Sequence, residues 1–185
     1  MSQKIVGLDL SLTATGWATV SHGEVSCDTL RTPKNLRGDA RLDWLDRNII
    51  EIVGSPRLAV IEGASFHSQS SSKDEIAGLH RIVRLAMFRR ETPYILVAPI
   101  QLKKFVTGVA KAEKSMVVRE VWRRWGVEVE DDNQADAVGL VQIGRGLLGE
   151  LDEITEFQRD IVAKVALKFK DVLETLTFME AYEKR

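Results

Sequence analysis

The sequence has little of what would cross-link a chain, hold zinc or cross a membrane. Its single cysteine, Cys27, cannot form an internal disulfide, which fits a reducing compartment. No motif surrounds it, so it reads as a packing residue rather than a nucleophile. His67 and His80 have no second metal-ligand partner at a recognisable spacing and read as ordinary polar residues. Apolar runs stay far below the ~20 residues of a membrane span. The opening MSQKIVGLDL enters a strand-like run without a secretory pattern, so an intracellular, cytoplasmic protein with no membrane contact is expected. Charge of one sign is also missing. A net charge of −1 lacks the basic balance that usually marks a nucleic-acid binder, and only local clusters remain to do that work. They are Arg81, Arg84, Arg89 and Arg90 in one segment and Lys103, Lys104, Lys111 and Lys114 in another, where the ordinary alternative is a solvated helix face.

What is present describes a globular domain. With 185 residues, 44% of them apolar and 29% charged, the chain suits one domain, or one domain with a helical appendage, and can bury a real core. The first third reads as three antiparallel strands, Lys4 to Asp9, Gly16 to Ser21 and Glu24 to Arg31, with Ser21, His22 and Gly23 as turn material. The period then becomes helical, with Leu42, Leu45, Ile49, Ile52 and Val53 near one face up to Gly54. Leu58 to Ile61 is a short apolar strand of the kind buried on both faces. A serine-rich loop, SFHSQSSSK, precedes a helix over about 73–90, and Tyr94 to Val97 supplies a fifth strand. Helical segments follow at Pro99 to Phe105, Lys114 to Trp125 and Gln134 to Leu148. Residues 151–185 approximate one long amphipathic helix. The fold class is therefore α/β: a mixed five-stranded sheet with helices on both faces, a domain at 1–148 and a C-terminal helical extension at 149–185.

Three acids stand where a core strand or helix should avoid charge. Asp9 lies inside the apolar run Ile5, Val6, Gly7, Leu8, Leu10, and Glu62 directly follows Ala59, Val60 and Ile61, so the two can meet at neighbouring strand ends. A third acidic group, Glu130 to Asp136, opens an apolar helix, and Asp132 and Asp136 are four apart on one face. Like charges this close call for a cation, and an oxygen-only set suits Mg²⁺, with Mn²⁺ as a substitute. Such a site supports phosphoryl transfer with two ions about 4 Å apart. The structural alternatives are a helix cap for Asp132 and a bond from Asp9 to the turn between Ser11 and Gly16.

Four segments, in order, resemble the RuvC family of Holliday junction resolvases, whose fold is ribonuclease H-like. They are GLDLSLTATGWA from Gly7 to Ala18, VIEGASF from Val60 to Phe66, LKKFVTGVAKAEKS from Leu102 to Ser115, and ADAVGL from Ala135 to Leu140, and the likeness spans about 4–148. The resemblance implies catalytic acids at Asp9, Glu62 and Asp136 and functional lysines at Lys103 and Lys114. It also places at Phe66 an aromatic that stacks on a base at a branch point. The family's further ligand, three residues before the last aspartate, is Asn133 here; its amide oxygen can bind Mg²⁺ without supplying charge, and Asp132 is the preferred fourth acid. The implied molecule is a homodimer on a four-way junction, cutting two strands by in-line attack of water to leave a 5′ phosphate and a 3′ hydroxyl. Lys103, Lys104, Lys111, Lys114, Arg81 and Arg84 would hold phosphates. Competing readings are a nuclease for forks, flaps or RNA–DNA hybrids, and a branched-DNA-binding module without catalysis. Actin-like ATPases and sugar kinases share the opening but need two duplicated domains, for which the chain is too short. Trp122 and Trp125 are expected to pack or to contact a partner copy.

Overall fold

A computed structural model describes residues 4–64, 72–151 and 153–183; the serine-rich segment expected to be a loop lies almost wholly outside them. The order is β1 Ile5–Asp9, β2 Ala14–Ser21, β3 Glu24–Arg31, α1 Gly38–Val53, β4 Leu58–Glu62, α2 Ser72–Arg89, β5 Tyr94–Val97, α3 Pro99–Thr107, α4 Lys114–Trp125, α5 Asp132–Leu147, α6 Glu156–Lys168 and α7 Lys170–Glu183. The strands form one sheet in the order β3-β2-β1-β4-β5, antiparallel across β3, β2 and β1 and parallel across β1, β4 and β5. That is the mixed α/β sheet the hydrophobic pattern predicts. The parallel half follows from α1 and α2, each long enough to carry the chain back to the starting edge.

Alternation sorts the strand side chains into two layers. Val6, Leu8, Ala59 and Ile61 face α1 and α2, where Leu45, Ile49, Leu79, Val83 and Met87 complete one core. Ile5, Leu58, Val60, Ile95 and Val97 face the other helices, and most of α5 is buried among them. Two glycines let α5 sit so close. A β-carbon at Gly7 would lie 2.3 Å from the Ala137 carbonyl oxygen, and one at Gly16 would lie 2.1 Å from that of Asn133. Only a residue without a side chain admits helix backbone to this depth.

Two sequence expectations change. The last stretch is not one helix but two, because α6 ends at Phe169, whose half-buried ring packs against the core and turns the chain into α7. These helices do not stand apart: Ile161 and Val165 of α6 and Leu176 of α7 are buried in the same core as β4 and α5. Trp125 packs on Phe105, ring centroids 6.1 Å apart, but Trp122 does not pack and stands 60% exposed.

Candidate active site

β1 and β4 run parallel with Ile5 opposite Leu58 and Gly7 opposite Val60, so Asp9 and Glu62 finish adjacent strands on the same face. That face is the one covered by α5. The carboxyls of Asp9 and Glu62 hydrogen-bond each other. Burial is the main cause lifting both out of the usual carboxylate range, and Glu62 is raised further by the charge of Asp9 beside it. From α5, Asp136 is raised to about 7, first by burial and then by Asp9, with Lys103 of α3 pulling the other way. No Lys or Arg among the described residues comes within ion-pair distance of these three acids.

The alternative roles for two acids fall away. The turn after β1 is closed without Asp9: the Thr15 hydroxyl donates to the Ser11 carbonyl at 2.9 Å and accepts from the Ser11 amide at 3.1 Å. The cap of α5 is Asp131 rather than Asp132, and the helix begins two residues before the expected Gln134. An Asp131 oxygen accepts from the Gln134 amide at 2.9 Å, while its other oxygen accepts from Thr29 at 2.8 Å. Asp132 is thereby free to face Lys114, whose ammonium bonds its carboxylate and holds it below the usual range. Its charge still reaches Asp9 and Asp136, raising both. Asn133 is pressed against Gly16, its β-carbon 2.9 Å from where a Gly16 side chain would begin.

Among the described residues, no three Asp, Glu, His or Cys side chains close tightly enough to cage an ion. The donor set nevertheless suits a hard divalent cation: it is all oxygen, mostly buried and uncompensated. Shared protons, or a cation, are the two ways to hold such carboxyls together.

The expected cationic residues divide. Lys103 lies near Glu62 and Asp136, and Lys114 near Asp132, Asp9 and Asp136. Lys104 turns to α6, bonding Asp160 at 3.1 Å. Lys111 is exposed after α3. Arg81 and Arg84 line a cleft of about 580 Å³ that opens beside the acids rather than over them, starting at Gly63 and Ala64 just past Glu62. Lys168 of α6 lines it too; nothing in an ordinary amphipathic repeat marks it in the sequence. Phe66 lies outside the described residues.

Known proteins resemble this chain in sequence and in fold. The profile of the family described as crossover junction endodeoxyribonuclease RuvC matches residues 5–142. A crossover junction endodeoxyribonuclease RuvC of Azorhizobium caulinodans is 30% identical over 121 residues, covering 62% of this chain and 72% of its own. That of Xanthobacter autotrophicus is 28% identical over 147 residues, covering 74% and 87%. Among solved structures, Thermus thermophilus RuvC matches with a TM-score of 0.63 at 18% identity over 80% of this chain and 97% of its own. The yeast mitochondrial Holliday junction resolvase Ydc2 matches at 0.53 and 14%, over 94% and 84%. Both structures are likenesses of fold.

Proposed function

Since the chain belongs to the RuvC family of crossover junction endodeoxyribonucleases, we propose that it is a structure-selective endonuclease that resolves Holliday junctions by phosphodiester hydrolysis. The observation that carries this reading is the meeting of Asp9, Glu62 and Asp136: three acids from two strand ends and a helix, mostly buried together and, among the described residues, with no Lys or Arg at ion-pair distance. A protein does not bury unpaired carboxyls at random, because each costs about 3–5 kcal/mol if ionised.

In this reading Asp9, Glu62 and Asp136 hold Mg²⁺, or Mn²⁺ in its place, with Asp132 as the fourth acid and Asn133 as a neutral oxygen nearby. When bound, the ion lowers the pKa of attacking water and stabilises the leaving oxygen. The chain's own groups prepare that chemistry. The low-dielectric wall formed by β1, β4 and α5 strengthens every charge interaction inside. Lys103 and Lys114 offset the acids and hold non-bridging phosphate oxygens, with Lys111 and Arg81, Arg84 further along the DNA; Lys104 belongs to this set only if it leaves Asp160. Lys114 does double duty, since its bond to Asp132 also fixes the first turn of α5. Cutting two strands symmetrically calls for two copies, and the exposed Leu85 and Phe88 on α2 offer a partner copy an apolar surface. No helix among the described residues is long and apolar enough to cross a membrane.

The test is cleavage of a labelled four-way junction, fork, flap and linear duplex in Mg²⁺, Mn²⁺ or EDTA, with Asp9→Asn, Glu62→Gln and Asp136→Asn alongside. Metal-dependent paired nicks on the junction, lost by at least ~10³-fold in each variant while binding persists, are expected. Preferred cutting of forks, flaps or RNA–DNA hybrids would reassign the substrate. Tight binding with no cutting under any metal would make the chain a branched-DNA-binding module, the reading that Asn133 in place of an acid favours.

A further inference from the structure

The cleft beyond Glu62 runs between the first turns of α1 and α2, the Ala98–Pro99 entry to α3 and the last turn of α6. We propose that Lys168 of α6 is a phosphate-holding residue, so that the C-terminal helices extend the DNA track past the carboxylates and the strand flanking the cut lies along this cleft. The proposal rests on the reading of the chain as a branched-DNA endonuclease and assigns a role to a helix that lies beyond residues 5–142, the part matched by the family.

Position argues first. Gly63 and Ala64 follow Glu62 directly and form one wall. Two extended residues span at most about 7 Å, comparable to two steps of rise along a duplex axis at about 3.4 Å each. A phosphate in the cleft is thus a near neighbour of the one being cut.

Charge argues next. Of the acids on the walls, Glu75 is tied to Arg41, whose side chain is mostly buried. Asp39 and Asp74 sit in the first turns of α1 and α2, where the helix dipole offsets their charge. Arg81, Arg84 and Lys168 match these three acids in number, so the cleft is not net acidic. Lys168 is exposed and has no carboxylate at ion-pair distance among the described residues; its ammonium lies 5.2 Å over the ring of Phe169. One turn back, Lys164 and Lys104 already share Asp160. A cation at a helix C-terminus is favoured by the dipole alone, but that does not explain why this one borders the cleft. The break at Phe169 does, because its ring is pinned to the core and fixes where the last turn of α6 ends.

Binding of a labelled four-way junction in EDTA, measured as a function of salt for wild type, Lys168→Ala and Lys168→Arg, tests this. Each lost phosphate contact should shrink the affinity lost between 50 and 200 mM salt by about 3.5-fold. Lys168→Ala is expected to show that shallower dependence, Lys168→Arg to keep the wild-type one, and both to melt as wild type does. A Lys168→Ala protein with wild-type affinity and salt dependence overturns the proposal while leaving the nuclease reading intact. Wild type that binds no junction at any salt overturns both.

Discussion

Replacing Gly16 by Ala should loosen the carboxylate cluster without touching a single acid. Gly16 has no left-handed backbone to protect, so the methyl group is tolerated locally. The obstacle is distant in sequence. The new carbon would lie 2.1 Å from the Asn133 carbonyl oxygen and 2.3 Å from its carbonyl carbon, where real side chains keep at least 3.0 Å. Both atoms are helix backbone and cannot swing aside, so the first turn of α5 must retreat by about 1 Å. Overpacking of this kind costs about 1–3 kcal/mol, and the stiffer unfolded chain returns about 0.5 kcal/mol. A net loss of ~1.5 kcal/mol lowers the melting temperature by about 3–6 °C for a domain of this size. The same shift carries Asp132 and Asp136 away from Asp9, and a misplacement of ~1 Å is worth about 10²-fold in rate. Thermal denaturation and single-turnover cleavage of a junction in Mg²⁺ read the two effects. Gly78→Ala is the internal contrast: its methyl would meet only Leu42 at 3.4 Å in the middle of α2, and should stabilise by about 0.5–1 kcal/mol. A Gly16→Ala protein with wild-type melting temperature and turnover would refute the close-approach argument; a lower melting temperature with full turnover would show that α5 yields without moving the acids.

Asp136, raised to about 7 from an ordinary 3.8, is protonated more readily in the folded than in the unfolded chain. Its contribution to stability is therefore full below pH 4 and is lost as pH rises through 7, on the order of 4 kcal/mol in metal-free protein; denaturant titrations from pH 4 to 8 should show a decline that Asp136→Asn flattens. Mg²⁺ at tenfold its dissociation constant should restore about 1.4 kcal/mol at pH 8 in wild type and much less in that variant. For the fourth ligand, Asp132→Asn should reduce Mg²⁺-dependent turnover by tenfold or more relative to Asn133→Ala, on the order of 1.4 kcal/mol of transition-state binding; the reverse ranking assigns the ligand to Asn133. Removing residues after Leu148 strips Ile161, Val165 and Leu176 from the core, at about 1.5–3 kcal/mol each; an undiminished melting temperature would mean the extension is an independent appendage.

The sequence determined the element types and the layering, because apolar patterning is a local property: an unbroken short run in Leu58 to Ile61, a period close to 3.6 in α1, and a sharp anomaly wherever an acid interrupts it. It also singled out Asp9 and Glu62 as candidates, since a charge in or just after an apolar run is visible without coordinates, and Asp136 through an acidic stretch that opens an apolar helix and through the family resemblance. It did not determine which acids touch. Asp131 and Asp132 are neighbours of the same type, and only the docking of α5 on β2 and β3 gave the first the cap, with Thr29 as its second partner, and the second the Lys114 ammonium. Nor did local pattern reveal the end of α6, because Phe169 continues an amphipathic repeat that a helix would accept; its contact with the core breaks the helix there. Lys103 and Lys104 are adjacent in sequence yet serve different neighbours, because one helix residue rotates the side chain by about 100°. Proximity between residues a hundred positions apart is set by how the layers seat, and here two glycines, unremarkable in the chain, decide how closely they do.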